Sequence, residues 1–304
     1  MSDVIRIGII GCDTSHVSAF TRLLHDESQP HHVCGGRVVA AYPSFSPDMP
    51  KSKDRVAGFT DELRDTWGVT ICDSIEGVLQ QADAILLESV DGRRHLGELK
   101  AILPAGKPVF VDKPFAASLA DARQMVHLVR QAGLPCFSSS SLRFDPNVQA
   151  VLEQTDGDAI LACDAFGPAP LDPTNPGLFW YGIHAVEMLF ALMGTGCRSL
   201  GCTSTEAYDL VVGRWDQRLG TMRGLRLGQA DYGATIFCDK SVRQITRNRE
   251  IPIYAPLLQR IVEFFRTGQE PVSLDETLEI MAFIDAAWQS SRQDGRVIEL
   301  DLRT

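Results

Sequence analysis

The sequence predicts an α/β protein: a doubly wound parallel sheet, then a second α/β domain with a large, mostly antiparallel sheet. Three observations carry this. Six short β-branched or apolar runs between Val4 and Phe137 alternate with longer helical stretches. A Pro-rich loop, 164–177, then breaks the pattern, and from 199 to 251 short alternating runs follow one another with no helix between them. Strands separated by helices cross over and run parallel, whereas strands joined directly fold back antiparallel.

The six runs are "VIRIGII", "RVVAAY", "GVTI", "DAILLES", "KPVFVD" and "LPCF", and six strands match a full dinucleotide-binding sheet. Among the intervening helices, 118–132 is the best marked. Ser118 precedes it as N-cap with Asp121 in the first turn, and Arg130, Gly133 and Pro135 close it. Beyond Arg143, "LFWYGIHAVEMLFALMG" reads as a helix starting near Phe179. Hairpin turns are expected at Gly220 and Asp239-Lys240, and helices over 255–267 and 274–292 precede a last strand, "RVIEL". The domains are placed at 1–137 and 138–304, with the final helix free to pack back on the first.

With 304 residues, 44% of them hydrophobic, the chain can bury two ordinary cores. Its formal net charge of -10 disfavours nucleic acid and anionic membrane surfaces, which leaves a small molecule as the expected ligand. No apolar run approaches the ~20 residues of a membrane helix. The start "MSDVIRIG" runs straight into a strand, so a cytoplasmic location is expected. Eight cysteines without a C-x-x-C pair read as buried free thiols. The stretch "HDESQPHH", 25–32, gathers three histidines and two acids, but it follows the first helix, away from the ligand edge of the sheet. No metal site is expected.

The opening turn poses the main question. In "GIIGCDTSH" the spacing G-x-G-x-x-G keeps Gly11, but Asp13 and His16 stand where the second and third glycines belong. A pyrophosphate rests on free N–H groups at a helix N-terminus, and a carboxylate there competes with it. Either Asp13 blocks that seat, or it caps the helix and turns away while Thr14 and Ser15 serve the phosphates. The second strand ends at Tyr42-Pro43 where an acid would hold a ribose 2′-hydroxyl. Ser44, Ser46, Lys51 and Lys53 follow, which leans toward NADP over NAD.

Three separated stretches together resemble the Gfo/Idh/MocA oxidoreductases, the glucose-fructose oxidoreductase and inositol dehydrogenase family. They are "IRIGIIGC", the run "DAILLESVDGRRHLGELKAILPAGKPVFVDKPFAASLADARQM", and "GIHAVEMLFALMG", with Gly182, His184, Glu187, Leu192 and Gly194 in the family's register. The tail "SLDETLEIMAFIDAAWQSSRQDGRVIEL" is also similar. The resemblance implies an N-terminal Rossmann domain, a C-terminal domain often used for oligomerisation, here as a dimer or tetramer, and a nicotinamide cofactor. It implies hydride exchange with a hydroxyl carbon of a sugar, cyclitol or related polyol.

The resemblance also assigns residues. Lys113, in Asp112-Lys113-Pro114, and His184 take the catalytic places; a lysine at a strand's carboxyl end can polarise a hydroxyl, and an imidazole can pass its proton. Gly8, Gly11, Cys12, Asp13, Thr14, Ser15, Tyr42, Ser89, Val90, His95, Asp112 and Lys113 fall along the cofactor edge. Arg143 at the domain junction, Trp180, Tyr181 and Asp172 fall on the substrate side, with Glu187 on the helix face of His184. Trp180 stands where many relatives carry an acid, and it can stack on a sugar but not accept a proton. Eight basic residues between Arg214 and Arg249 read as a solvated sheet face, an oligomer interface or a pocket for an acidic substrate. The departures at Asp13, Tyr42 and Trp180 define an alternative: a non-catalytic or regulatory relative that binds a ligand or partner. A further possibility retains a tightly bound cofactor for internal redox.

Overall fold

The computed structural model describes residues 4–154 and 157–302; Met1–Asp3 of the opening stretch lie outside it. The chain divides into two compact units, one of residues 1–139 and 251–274, the other of 140–250 and 275–304.

The first unit alternates as its sequence does. It contains β1 (Ile5–Ile10), α1 (Ser15–His25), β2 (Gly36–Tyr42), α2 (Pro50–Asp65), β3 (Thr70–Ile71), α3 (Ile75–Leu79), β4 (Ala84–Leu87), α4 (Gly92–Ile102), β5 (Val109–Val111), α5 (Leu119–Ala132) and β6 (Cys136–Ser138). All six strands are parallel in the order β3-β2-β1-β4-β5-β6. The order reverses between β1 and β4, as the doubly wound pattern requires. Ser118 caps α5 by accepting the Asp121 amide, and Gly133 ends it in the left-handed conformation.

The second unit contains α6 (Pro146–Glu153), β7 (Ile160–Pro168), α7 (Ile183–Met193), β8 (Ser199–Ser204), β9 (Tyr208–Trp215), β10 (Arg218–Leu225), β11 (Gly233–Cys238) and β12 (Val242–Thr246). The chain then returns to the first unit with α8 (Ala255–Thr267), whose Phe264 ring lies 4.8 Å from Phe137. It ends in the second unit with α9 (Leu274–Ser291) and β13 (Ile298–Glu299). The second sheet runs β12-β11-β7-β10-β9-β8-β13, antiparallel except where β7 lies parallel to β10. Its core face meets α7 and α9, where Phe283 packs 5.5 Å from Phe190.

Three expectations need correction. Residues 164–168, expected to open the Pro-rich loop, instead belong to β7, where they pair with β10 and β11. Gly220 is no turn. It lies within β10, where a Cβ would come within 3.1 Å of Leu189 and Trp215, so its missing side chain lets α7 approach the sheet. The β9–β10 turn is made at Asp216-Gln217, with Asp216 at φ 52°. The helix expected near Phe179 begins only at Ile183. A single 3-10 turn, Gly177–Phe179, precedes it, with Gly177 at φ 59° against Trp288. Trp180 and Tyr181 therefore come before the helix rather than on it. Of the eight cysteines, all free, seven are buried and Cys34 is exposed.

Candidate functional site

The carboxyl ends of β1 and β4 flank the switch point of the first sheet, where open α/β folds bind their ligands. Gly11 closes β1 at φ 91°, and a Cβ on it would lie 2.3 Å from the Ser89 amide nitrogen, so only glycine fits. Thr14, not Asp13, caps α1, with its Oγ1 accepting from the His16 amide. The Asp13 carboxylate is fully buried. Its Oδ1 accepts from the Val90 amide at 2.9 Å and its Oδ2 from the Ser52 hydroxyl at 2.5 Å. Burial pushes its carboxyl above the usual range, while those two bonds pull it back. The acid in the second-glycine place thus spans from the turn after β1 to the loop after β4, across the switch point.

The segment between β2 and α2 lies on the same edge. Cys12 donates its amide to the Ser44 carbonyl, the Ser46 hydroxyl donates to Asp91 at 2.6 Å, and the Ser44 hydroxyl donates to Glu98. The serines expected to meet a 2′-phosphate are therefore engaged with acids, and Lys51 and Lys53 stand exposed in the first turn of α2. A cavity of about 490 Å³ opens beside them, lined by Tyr42, Ser74, Glu76, Arg93, Arg94 and Glu98. Arg93 pairs with Asp91 and Asp48, and Arg94 with Glu98. These two arginines, missed in the sequence, carry the cations of this end of the edge.

Beyond the switch point, Lys113 follows β5 through Asp112 and is only 7% exposed, with a cis Lys113–Pro114 peptide. Its Nζ lies 3.8 Å from Asp112 Oδ2. The same Asp112 oxygen lies 3.0 Å from His16 Nδ1, and Glu88 Oε2 lies 3.6 Å from that nitrogen. All three side chains are buried. Burial alone would lower the His16 pKa, but the Asp112 and Glu88 carboxylates outweigh it and raise it to about 9. Burial and the charge of Asp112 raise Glu88 to about 7. Asp112 is itself held well below the carboxylate range, because His16 and Lys113 overcome its burial. No local pattern signals this group, since its members come from three distant stretches.

Other expected cofactor residues have structural duties. Gly8 lies inside β1, where a Cβ would collide with Val78 and Ala82, so it serves the packing of α3 rather than a ligand. Cys12 is buried against the Tyr42 carbonyl, its thiol pushed up to about 12 by burial and the charge of Asp13. His95 has no solvent exposure. Its ring nitrogens face the carbonyls of Ser89 and Phe115 and fix the loops after β4 and β5. Ser15 is exposed at the start of α1.

In the second unit, His184 Nδ1 lies 2.7 Å from the Ser140 hydroxyl, and its ring meets Tyr181 at 5.8 Å and Tyr232 at 5.7 Å. Ser140 thus holds the imidazole. Glu187 pairs with Arg143 at 2.9 Å, and Arg143 reaches Glu276 at 2.6 Å. Arg143 is buried in an ion-pair triad within this unit. Trp180 is buried and Tyr181 half-exposed, while Asp172 accepts from the amide and hydroxyl of Thr174 in its own loop. Within the basic run Arg226 pairs with Asp209, Arg243 with Asp158 and Arg249 with Asp231, while Arg214 lines a cavity of about 810 Å³ together with Arg198 and Asp216.

Residues 5–140 match the model of an oxidoreductase family with an NAD-binding Rossmann fold, GFO_IDH_MocA. This segment is a Gfo/Idh/MocA Rossmann domain. The chain is similar to D-apiose dehydrogenase of Paraburkholderia graminis, 32% identical over 153 residues, which are 43% of this chain and 40% of that enzyme. Among solved structures, myo-inositol 2-dehydrogenase of Lactobacillus plantarum superposes with a TM-score of 0.80 at 15% identity, covering 98% of this chain and all, 100%, of that one. Scyllo-inositol dehydrogenase of Lactobacillus casei, solved with NAD(H) and scyllo-inositol, gives 0.79 at 14% identity, covering 98% and 99%. These likenesses extend the shared fold through the second, mostly antiparallel unit. No helix among the described residues is long and apolar enough to cross a membrane.

Proposed function

We propose that the chain is an NAD(P)-dependent oxidoreductase acting on a hydroxyl-bearing carbon of a sugar, cyclitol or related polyol. The observation that carries this is Lys113, nearly buried at the carboxyl end of β5 in the domain whose family binds NAD. The polyol chemistry of D-apiose and scyllo-inositol in its relatives supports it.

The residues fit a dinucleotide in part. Gly11 keeps the close turn, α1 offers its amino end, and the cavity of about 490 Å³ beside Tyr42 suits an adenosine. No acid ends β2, and Arg93 and Arg94, though paired with Asp91, Asp48 and Glu98, line that cavity, which leans toward NADP. A pyrophosphate held at this turn would meet the Asp13 carboxylate, which Val90 and Ser52 hold in place. A bound nicotinamide supplies the hydride donor or acceptor. Lys113 polarises the reacting oxygen, and Asp112 holds its ammonium in place. In the second unit, the imidazole of His184, held by Ser140, takes or returns the hydroxyl proton, and Tyr181 offers an aromatic face to a sugar ring.

The outward face of the second sheet carries Leu219, Ala162, Phe237 and Val242 in register across four strands, and we assign it to a second copy of the chain. Asp13 across the switch point favours the alternative of a ligand-binding relative without turnover. Titration with NADPH and NADH, then a polyol panel with wild type, Lys113→Met and His184→Asn, tests the proposal. Nucleotide reduction lost in both variants supports it, and binding without turnover of any polyol favours the alternative.

A further inference from the structure

We propose that His16, Glu88 and Asp112 form a binding site for one divalent transition-metal ion of the zinc or manganese class. The topology brings the three together. Glu88 and Asp112 are the first residues beyond the paired ends of β4 and β5, Leu87 and Val111, and His16 stands in the first turn of α1, which follows the neighbouring β1. One donor atom from each lies within 4.8 Å of the others.

The spacing is that of ligands around a common ion. Two ligand atoms each about 2.0–2.2 Å from an ion, at octahedral or tetrahedral angles, stand roughly 3.0–3.5 Å apart. His16 Nδ1 lies 3.0 Å from Asp112 Oδ2 and 3.6 Å from Glu88 Oε2. Apart from the His16 imidazole and the Lys113 ammonium, no side chain among the described residues meets either carboxylate. Both oxygens of Glu88 and both of Asp112 are shut from solvent without a hydrogen-bond partner, and buried carboxylates in that condition are costly unless a cation meets them. The Lys113 ammonium reaches only Asp112, and only at 3.8 Å. The imidazole is preset by ring contacts with Phe20 at 5.6 Å and Tyr254 at 4.6 Å, which leave Nδ1 facing the acids.

The donor set selects the metal. One imidazole with two carboxylates and no thiolate suits zinc or manganese, whereas magnesium and calcium prefer oxygen alone. His16 occupies the place of a glycine that keeps helix and strand close in dinucleotide turns, and on this proposal the exchange provides a ligand.

The test uses the full chain, stripped of metal with a chelator and titrated calorimetrically with zinc chloride and manganese chloride, with magnesium chloride as control. His32→Ala and Cys34→Ser are introduced throughout to remove a competing pair of neighbouring donors. We expect one zinc or manganese ion per chain and a roughly hundredfold loss of affinity in Glu88→Gln and in Asp112→Asn. Equal affinity in the parent and in a folded variant, or no binding to the parent, would overturn the site. Should both variants unfold, anomalous scattering from crystals of the parent soaked in zinc decides: a peak between His16, Glu88 and Asp112 supports it, and a peak elsewhere or none overturns it. No nucleotide or polyol is present, so the outcome is independent of oxidoreductase activity.

Discussion

Replacing Asp13 by glycine restores the second glycine of the dinucleotide turn and removes the carboxylate that spans the switch point. Two unit charges ~4 Å apart at an effective dielectric of ~20 repel by about 4 kcal/mol, or roughly a thousandfold in affinity. The Val90 amide and the Ser52 hydroxyl already engage that carboxylate, which makes the figure a ceiling. The substitution also strips the Val90 amide and Ser52 hydroxyl of a buried acceptor, at about 1–3 kcal/mol of stability. Fluorescence titration with NADPH and NADH, beside thermal melts, measures both effects. The expected result is affinity raised by roughly ten- to a thousandfold, with a melting point lowered by several degrees. Unchanged affinity in a variant that has lost stability would refute the reasoning, because Asp13 would then be a structural tie and no obstacle.

Three further outcomes follow from the same structure. Arg143→Met removes the cation shared by buried Glu187 and half-buried Glu276 and should cost about 3–5 kcal/mol, read by denaturant unfolding; a loss under about 1 kcal/mol would mean the triad is effectively solvated. His25, half-buried and beside Arg37, has its pKa lowered to about 4, and its Nε2 accepts the Val38 amide in the neutral form. The folded state therefore takes up the proton later than the unfolded one, and stability present above pH 6.5 is lost as pH falls toward 4. His25→Gln should lose less across that window in melts run beside wild type. On the proposed pairing of second-sheet faces, Phe237→Lys should leave the chain monomeric by light scattering without changing its melting point, since Phe237 is exposed on β11.

What could be read from the sequence follows the physics of short-range pattern. Alternation of apolar runs with helices predicted all six strands of the first sheet, and Ser118 with Gly133 bracketed α5 closely, because caps and periods are local. Gly220 misled because a glycine within a strand marks either a turn or a close approach, and only the position of Leu189 decides between them. Glu187 could be placed beside His184 by helical spacing, but its actual partner, Arg143, lies 44 residues away. Residue types alone suggested a cap or an obstacle at Asp13, while the tie to Val90 depends on how β1 and β4 sit side by side. His16 with Glu88 and Asp112 was invisible for the same reason.

The most direct test of the central claim is nucleotide reduction by the purified chain in the presence of NADP or NAD and a panel of sugars and cyclitols, compared between wild type and Lys113→Met. Polyol-dependent reduction by wild type, saturable in one nucleotide and abolished in Lys113→Met, is the predicted result. Failure of wild type and Asp13→Gly alike to bind either nucleotide would contradict it.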